Sequence, residues 1–117
     1  DNDMFEAFNN RLVGITELSK LSAQQADRVK AMGSAAENLL KNREFVLFIR
    51  QFQLEIMDAL TEIKGHTQDD NNLRIALTNQ LSGIDGFIQV LKKAKYMKNR
   101  VVTQQTEAKV TEEPDAI

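Results

Sequence analysis

The sequence predicts an all-α fold built on an antiparallel helical hairpin, and three observations carry that prediction. The one proline is Pro114, so ring sterics forbid helix nowhere in residues 1–113. Apolar residues recur at intervals of three and four rather than two. Short polar breaks with helix-capping chemistry separate these apolar runs.

The clearest run is Phe45, Ile49, Phe52, Ile56, Ala59 and Ile63, spaced alternately by four and three. Phe45–Ile49 is β-prone, and Arg50–Glu55 alternates briefly, but the helical period outlasts both. It predicts a helix over 43–64, with Asn42 as its N-cap and Gly65 at the C′ position that stops it. Gly65-His66-Thr67 is a short connection, and Thr67 followed by Asp70 has capping-box spacing. Leu73, Leu77, Gln80, Ile84, Phe87, Leu91 and Ala94 then predict a helix over 68–100, with Asp70 and Arg74 as an i,i+4 pair. So short a loop makes the two helices antiparallel. Counting from the turn sets Ile56 near Leu77, Ile49 near Ile84, and Phe45 near Phe87 or Ile88.

The N-terminal third follows the same period through Met4, Phe8, Ile15, Leu18, Val29, Met32, Ala36 and Leu39, with polar faults at Ser22 and Gln25. It predicts a long helix over 4–32 with a break near residue 22. Gly33-Ser34 followed by Glu37 reads as a helix stop and a new cap, opening a short helix over 34–41. Residues 1–100 are expected to form a single helical domain, and the acidic 101–117 a frayed, flexible tail.

Little in the chain suggests covalent or metal chemistry. There is no cysteine, which removes disulfides, thiolate ligands and cysteine nucleophiles, and there is one histidine. Glu62, His66, Asp69 and Asp70 are near one another in sequence, but a zinc site needs three or four ligands, usually with two His or Cys. Asp69-Asp70-Asn71-Asn72 lacks calcium-loop spacing. Glu55, Asp58 and Glu62 share one helical face beside Gln51 and Thr61, the pattern of a solvated surface rather than of a split acid–base pair. A non-enzyme without cofactor or metal is expected. The longest apolar run, Phe45–Ile49, falls far short of the ~20 residues of a membrane span. The acidic start, Asp1-Asn2-Asp3, is unlike a secretory signal. A virion or cytoplasmic location is expected, and a chain starting at Asp1 is expected to be trimmed or processed there.

Association is where the pattern points. Beyond its seam, the 43–64 helix carries Val46, Leu47, Phe48, Leu54, Met57 and Leu60, so it is apolar most of the way round and needs neighbours on several sides. On the next helix, Ala76, Asn79, Gly83, Gly86 and Val90 form a small-residue stripe suited to close approach by a third helix. Helix-interior glycine costs about 1 kcal/mol against alanine, so two within four residues suggest a packing reason. The expected contact residues, toward a second copy or an assembly partner, are Phe45, Phe48, Phe52, Ile56, Gly83, Gly86 and Phe87. The alternative is nucleic acid. Lys92, Lys93, Lys95, Lys98 and Arg100 are five cations in nine residues, able to neutralise phosphates. Against it, the net charge is −2, and a helix C-terminus favours cations in any case.

The segment Leu39-Leu40-Lys41-Asn42-Arg43-Glu44-Phe45, the apolar helix and polar turn after it, and Leu81-Ser82-Gly83-Ile84-Asp85-Gly86-Phe87-Ile88-Gln89-Val90-Leu91 resemble a hairpin of small all-helical virion and assembly proteins of tailed bacteriophages. The resemblance spans residues 39–91. It implies a non-enzymatic structural component of a phage particle.

Overall fold

The computed structural model describes residues 21–112, which form three α-helices: α1 (Ala23–Lys41), α2 (Arg43–Glu62) and α3 (Gln68–Glu112). No strand occurs among the described residues, and the all-α hairpin fold stands. Residues 4–20 of the helix predicted over 4–32 lie outside the described residues. Contacts group the described residues into two compact units, one of those up to Asn38 with those from Val90 onward, the other of Leu39–Gln89.

The second unit is the hairpin. Asn42 caps α2 as expected, its backbone extended and its side-chain oxygen accepting the Phe45 N–H at 2.9 Å. The helix stops at Glu62 rather than at residue 64, with Ile63 turning extended. Gly65 does not take the left-handed conformation of a C′ glycine, because no glycine among the described residues has positive φ. The exposed carbonyls are satisfied from the following helix instead. Arg74 donates to the carbonyl oxygens of Ile63, at 3.0 Å, and Gly65, and to Asn71 Oδ1 at 2.8 Å. α2 has no basic residue in its own last turn, so Arg74 supplies the cation its dipole favours. Asp70 still feels the Arg74 charge, as the i,i+4 spacing expects, while the guanidinium directs its hydrogen bonds to Ile63, Gly65 and Asn71.

The capping box at the turn forms as read: Asp70 N–H donates to Thr67 Oγ1, and Thr67 N–H to Asp70 Oδ2, each at 3.1 Å. The hydrogen bonds from Thr67, with the nearby Arg74 charge, hold the Asp70 carboxyl below its ordinary pKa. The register also holds. Phe45 and Phe87 meet edge to face, with centroids 6.5 Å apart and planes at 68°.

The first unit departs further from expectation. α1 is uninterrupted from Ala23 to Lys41, so Gly33-Ser34 is neither a stop nor a start. The faults at Ser22 and Gln25 are themselves a capping box: Gln25 N–H donates to Ser22 Oγ at 3.2 Å, and Ser22 N–H to Gln25 Oε1 at 3.0 Å. The buried face of α1 is Ala26, Val29, Gly33 and Ala36: Val29 and Ala36 are buried as the seam expects, but Ala26 and Gly33 complete the face in place of Met32 and Leu39, which are left exposed. Ala26 and Val29 form a core with Met97 and Val101, and Leu21 packs against it.

Gly33 marks the closest approach. A Cβ there would overlap Lys98 Cβ and come within 2.7 Å of the Ala94 carbonyl oxygen. The tail beginning at residue 101 is also corrected: α3 continues to Glu112, and Val101 is 2% exposed. Polar groups close the sides of this contact, with Lys98 Nζ on Glu37 Oε2 at 2.9 Å and Lys30 Nζ on Gln105 Oε1 at 3.0 Å.

Two predictions follow from these contacts. Gly33→Ala should destabilise the protein by about 1–3 kcal/mol through overpacking, whereas Gly83→Ala and Gly86→Ala, which meet no described atom within 4 Å, should each stabilise it by up to about 1 kcal/mol; urea denaturation midpoints decide the sign. Thr67→Ala should cost about 1 kcal/mol as a lost N-cap. Because the folded-state pKa of Asp70 is lowered, the capping contribution is complete above its unfolded value of about 3.9 and fades as pH falls below it. The wild-type advantage over Thr67→Ala should therefore shrink in acid, and the Asp70 pKa followed by NMR should rise in the variant.

Candidate interaction surface

A helix packed on one neighbour covers only part of its circumference, and α2 is apolar well beyond that part. Toward α3 it offers Phe45, Ile49, Ile56 and Ile63. Ile56, expected to contribute to an associating face, is 5% exposed and belongs to the hairpin interior. Phe45 and Phe87 are half-buried against each other. Phe52 lies at the rim, and Phe48 is 69% exposed. Gly83 and Gly86 are exposed with no described residue close by. Among the described residues no helix approaches the two glycines of the stripe, although Val90 at its end is buried, and the close crossing falls at Gly33 instead. In this register Phe48 and Gly83 sit at the same level of the hairpin, one turn from the Phe45–Phe87 contact.

A second apolar surface did not figure among the expected contact residues. Leu47, Leu54 and Met57 are 52%, 54% and 49% exposed. Arg50, Gln53, Leu54, Met57 and Leu81 line an open groove beside α2. The signal for this surface lay in their spacing of seven and three, masked in the sequence by the two arginines between and before them.

Glu55, Asp58 and Glu62 are all exposed, with Gln51 donating its side-chain amide to Glu55 Oε1 at 3.4 Å. No group of three or more His, Asp or Glu side chains is placed to hold a metal among the described residues. No helix among them is long and apolar enough to cross a membrane.

The five cations of α3 do not act alike. Lys98 is paired with Glu37 across the Gly33 crossing, Lys93 and Lys95 are partly buried, and Lys92 and Arg100 are exposed. With Lys98 held in the first unit's packing, no continuous row of free cations remains for a phosphate backbone. Lys98→Ala should therefore lower stability by about 1 kcal/mol, and Lys92→Ala should change it by no more than about 0.5 kcal/mol, as thermal melts can show. Compared with protein-family models, curated proteins and solved structures, the chain has no match.

Proposed function

We propose that this protein is a non-enzymatic structural or assembly component that works through helix–helix contacts made by its hairpin. One observation carries the reading: the middle of α2 holds Phe48 at 69% exposure, on a helix whose covered side is already filled by α3. Contiguous exposed apolar surface on a folded chain marks a contact site. The resemblance of residues 39–91 to helical proteins of tailed bacteriophages supports reading this activity as part of a virion or its assembly, with the chain itself and other particle proteins as the proposed partners.

Phe48→Asp tests it. The substitution lies on exposed surface, so helicity by circular dichroism should not change. The assembled species seen by sedimentation should lose mass relative to wild type, because every contact made through Phe48 is removed. A wild-type protein that sediments as a single 13.3 kDa chain at all concentrations, and captures no assembly partner, would overturn the reading.

A further inference from the structure

α2 carries two heptad seams on opposite sides, and only one is used within the chain. Arg43, Leu47, Arg50, Leu54, Met57 and Thr61 follow the same alternation of four and three as the seam facing α3, and all six are exposed. Such a row is the seam of a coiled coil. Its charges say which partner it fits.

We infer that this seam pairs with the same seam of a second copy, antiparallel. In a parallel pair Arg43 would face Arg43 and Arg50 would face Arg50, placing like charges in shared layers. In an antiparallel pair the row is its own complement. Leu47 faces the partner's Met57, Arg50 lays its aliphatic stem on the partner's Leu54, and Arg43 faces the partner's Thr61. Arg43 then lies between its own Glu44 and the partner's Asp58, near the partner's Glu62. On the other flank Val46 meets the partner's Leu60, beside the groove at Gln53 and Leu81. A partner of uniform acidic charge would face the Glu44, Glu55, Asp58 and Glu62 flank with no arginine of its own to set between the carboxylates, as Arg43 stands between Glu44 and the partner's Asp58, and a basic one would be repelled by the arginines in the seam. The inference deepens the proposed function and rests on it: it names one partner and one surface, separate from Phe48.

The cysteine-free chain allows a direct test. Leu47→Cys and Met57→Cys chains are mixed and oxidised. A disulfide needs Cα atoms within about 7 Å. In the antiparallel pair two copies of residue 47 are about 15 Å apart along the axis, at 1.5 Å per residue. The mixture should therefore cross-link, and neither variant alone should. Arg43→Glu should abolish the dimer, and Arg43→Glu combined with Asp58→Arg should restore it. Cross-linking of Leu47→Cys alone, or no cross-link in the mixture, overturns the seam. If wild-type protein is still oligomeric in that case, the proposed function survives through another surface; if it is monomeric and partnerless, both fall.

Discussion

The apolar circumference of α2 is the constraint on which the rest depends. An α-helix presents one stripe to one neighbour, and α3 covers the Phe45–Ile63 stripe. The hairpin is held there by interactions that satisfy polar backbone as well as apolar surface. Asn42 caps one end of α2, and Arg74 reaches back from α3 to the carbonyls at the other. The capping pair Thr67–Asp70 starts α3 directly after the turn. Ends fixed this way leave the seam little freedom to slip, which is why Phe45 and Phe87 meet in register. What the hairpin cannot do is shield the opposite sides of α2, so Leu47, Phe48, Leu54 and Met57 stay in solvent.

The glycines show how residue type underdetermines role. Gly33 looked like punctuation because Ser34 and Glu37 follow it with capping-box spacing. It is instead the point where α1 comes against the Ala94–Lys98 turn of α3, and only the missing side chain permits that separation. Gly83 and Gly86 looked like such an approach site, yet no described residue stands across from them. A helical glycine is an absence of Cβ, and its meaning belongs to whatever element lies opposite. Sequence order does not supply that element. The same limit applies at Gly65, whose φ is not positive and beside which the helix-end carbonyls are satisfied by a guanidinium nine residues on.

The hairpin was legible because its information is local: period, caps and loop length all lie within a few residues of what they determine. The α1–α3 contact was not, for a physical reason. Its seam on α3 runs Ala94, Met97, Lys98, Val101, Gln104 and Gln105, half of it polar, so the apolar count drops and residues past 100 look like a tail. Two of those polar positions, Lys98 and Gln105, have partners far away in sequence. Lys98 meets Glu37, and Gln105 meets Lys30. A count of apolar residues scores each as a fault, when the pair is what closes the contact. The polar start of α1 misleads in the same direction, since Ser22 and Gln25 serve the helix end rather than the seam.

Paired charges also bear on what the surface can recognise. Five clustered cations suggest phosphate binding only while they are free to turn toward one ligand. At the crossing, Lys98 has a carboxylate 2.9 Å away on a neighbouring helix, and moving it would open the packing beside Gly33. Its charge is therefore part of the fold. The arginines of α2 are in the opposite situation, since Arg43 and Arg50 stand exposed among apolar side chains on a helix already anchored at both ends. A cation set in an apolar seam weakens contacts with many partners and is tolerated by those that bring a carboxylate to the same layer. Arginine there restricts orientation more than it adds affinity. The Leu47–Met57 surface is thus selective in a way the Phe48 surface, with a phenylalanine and open glycines at its level, is not.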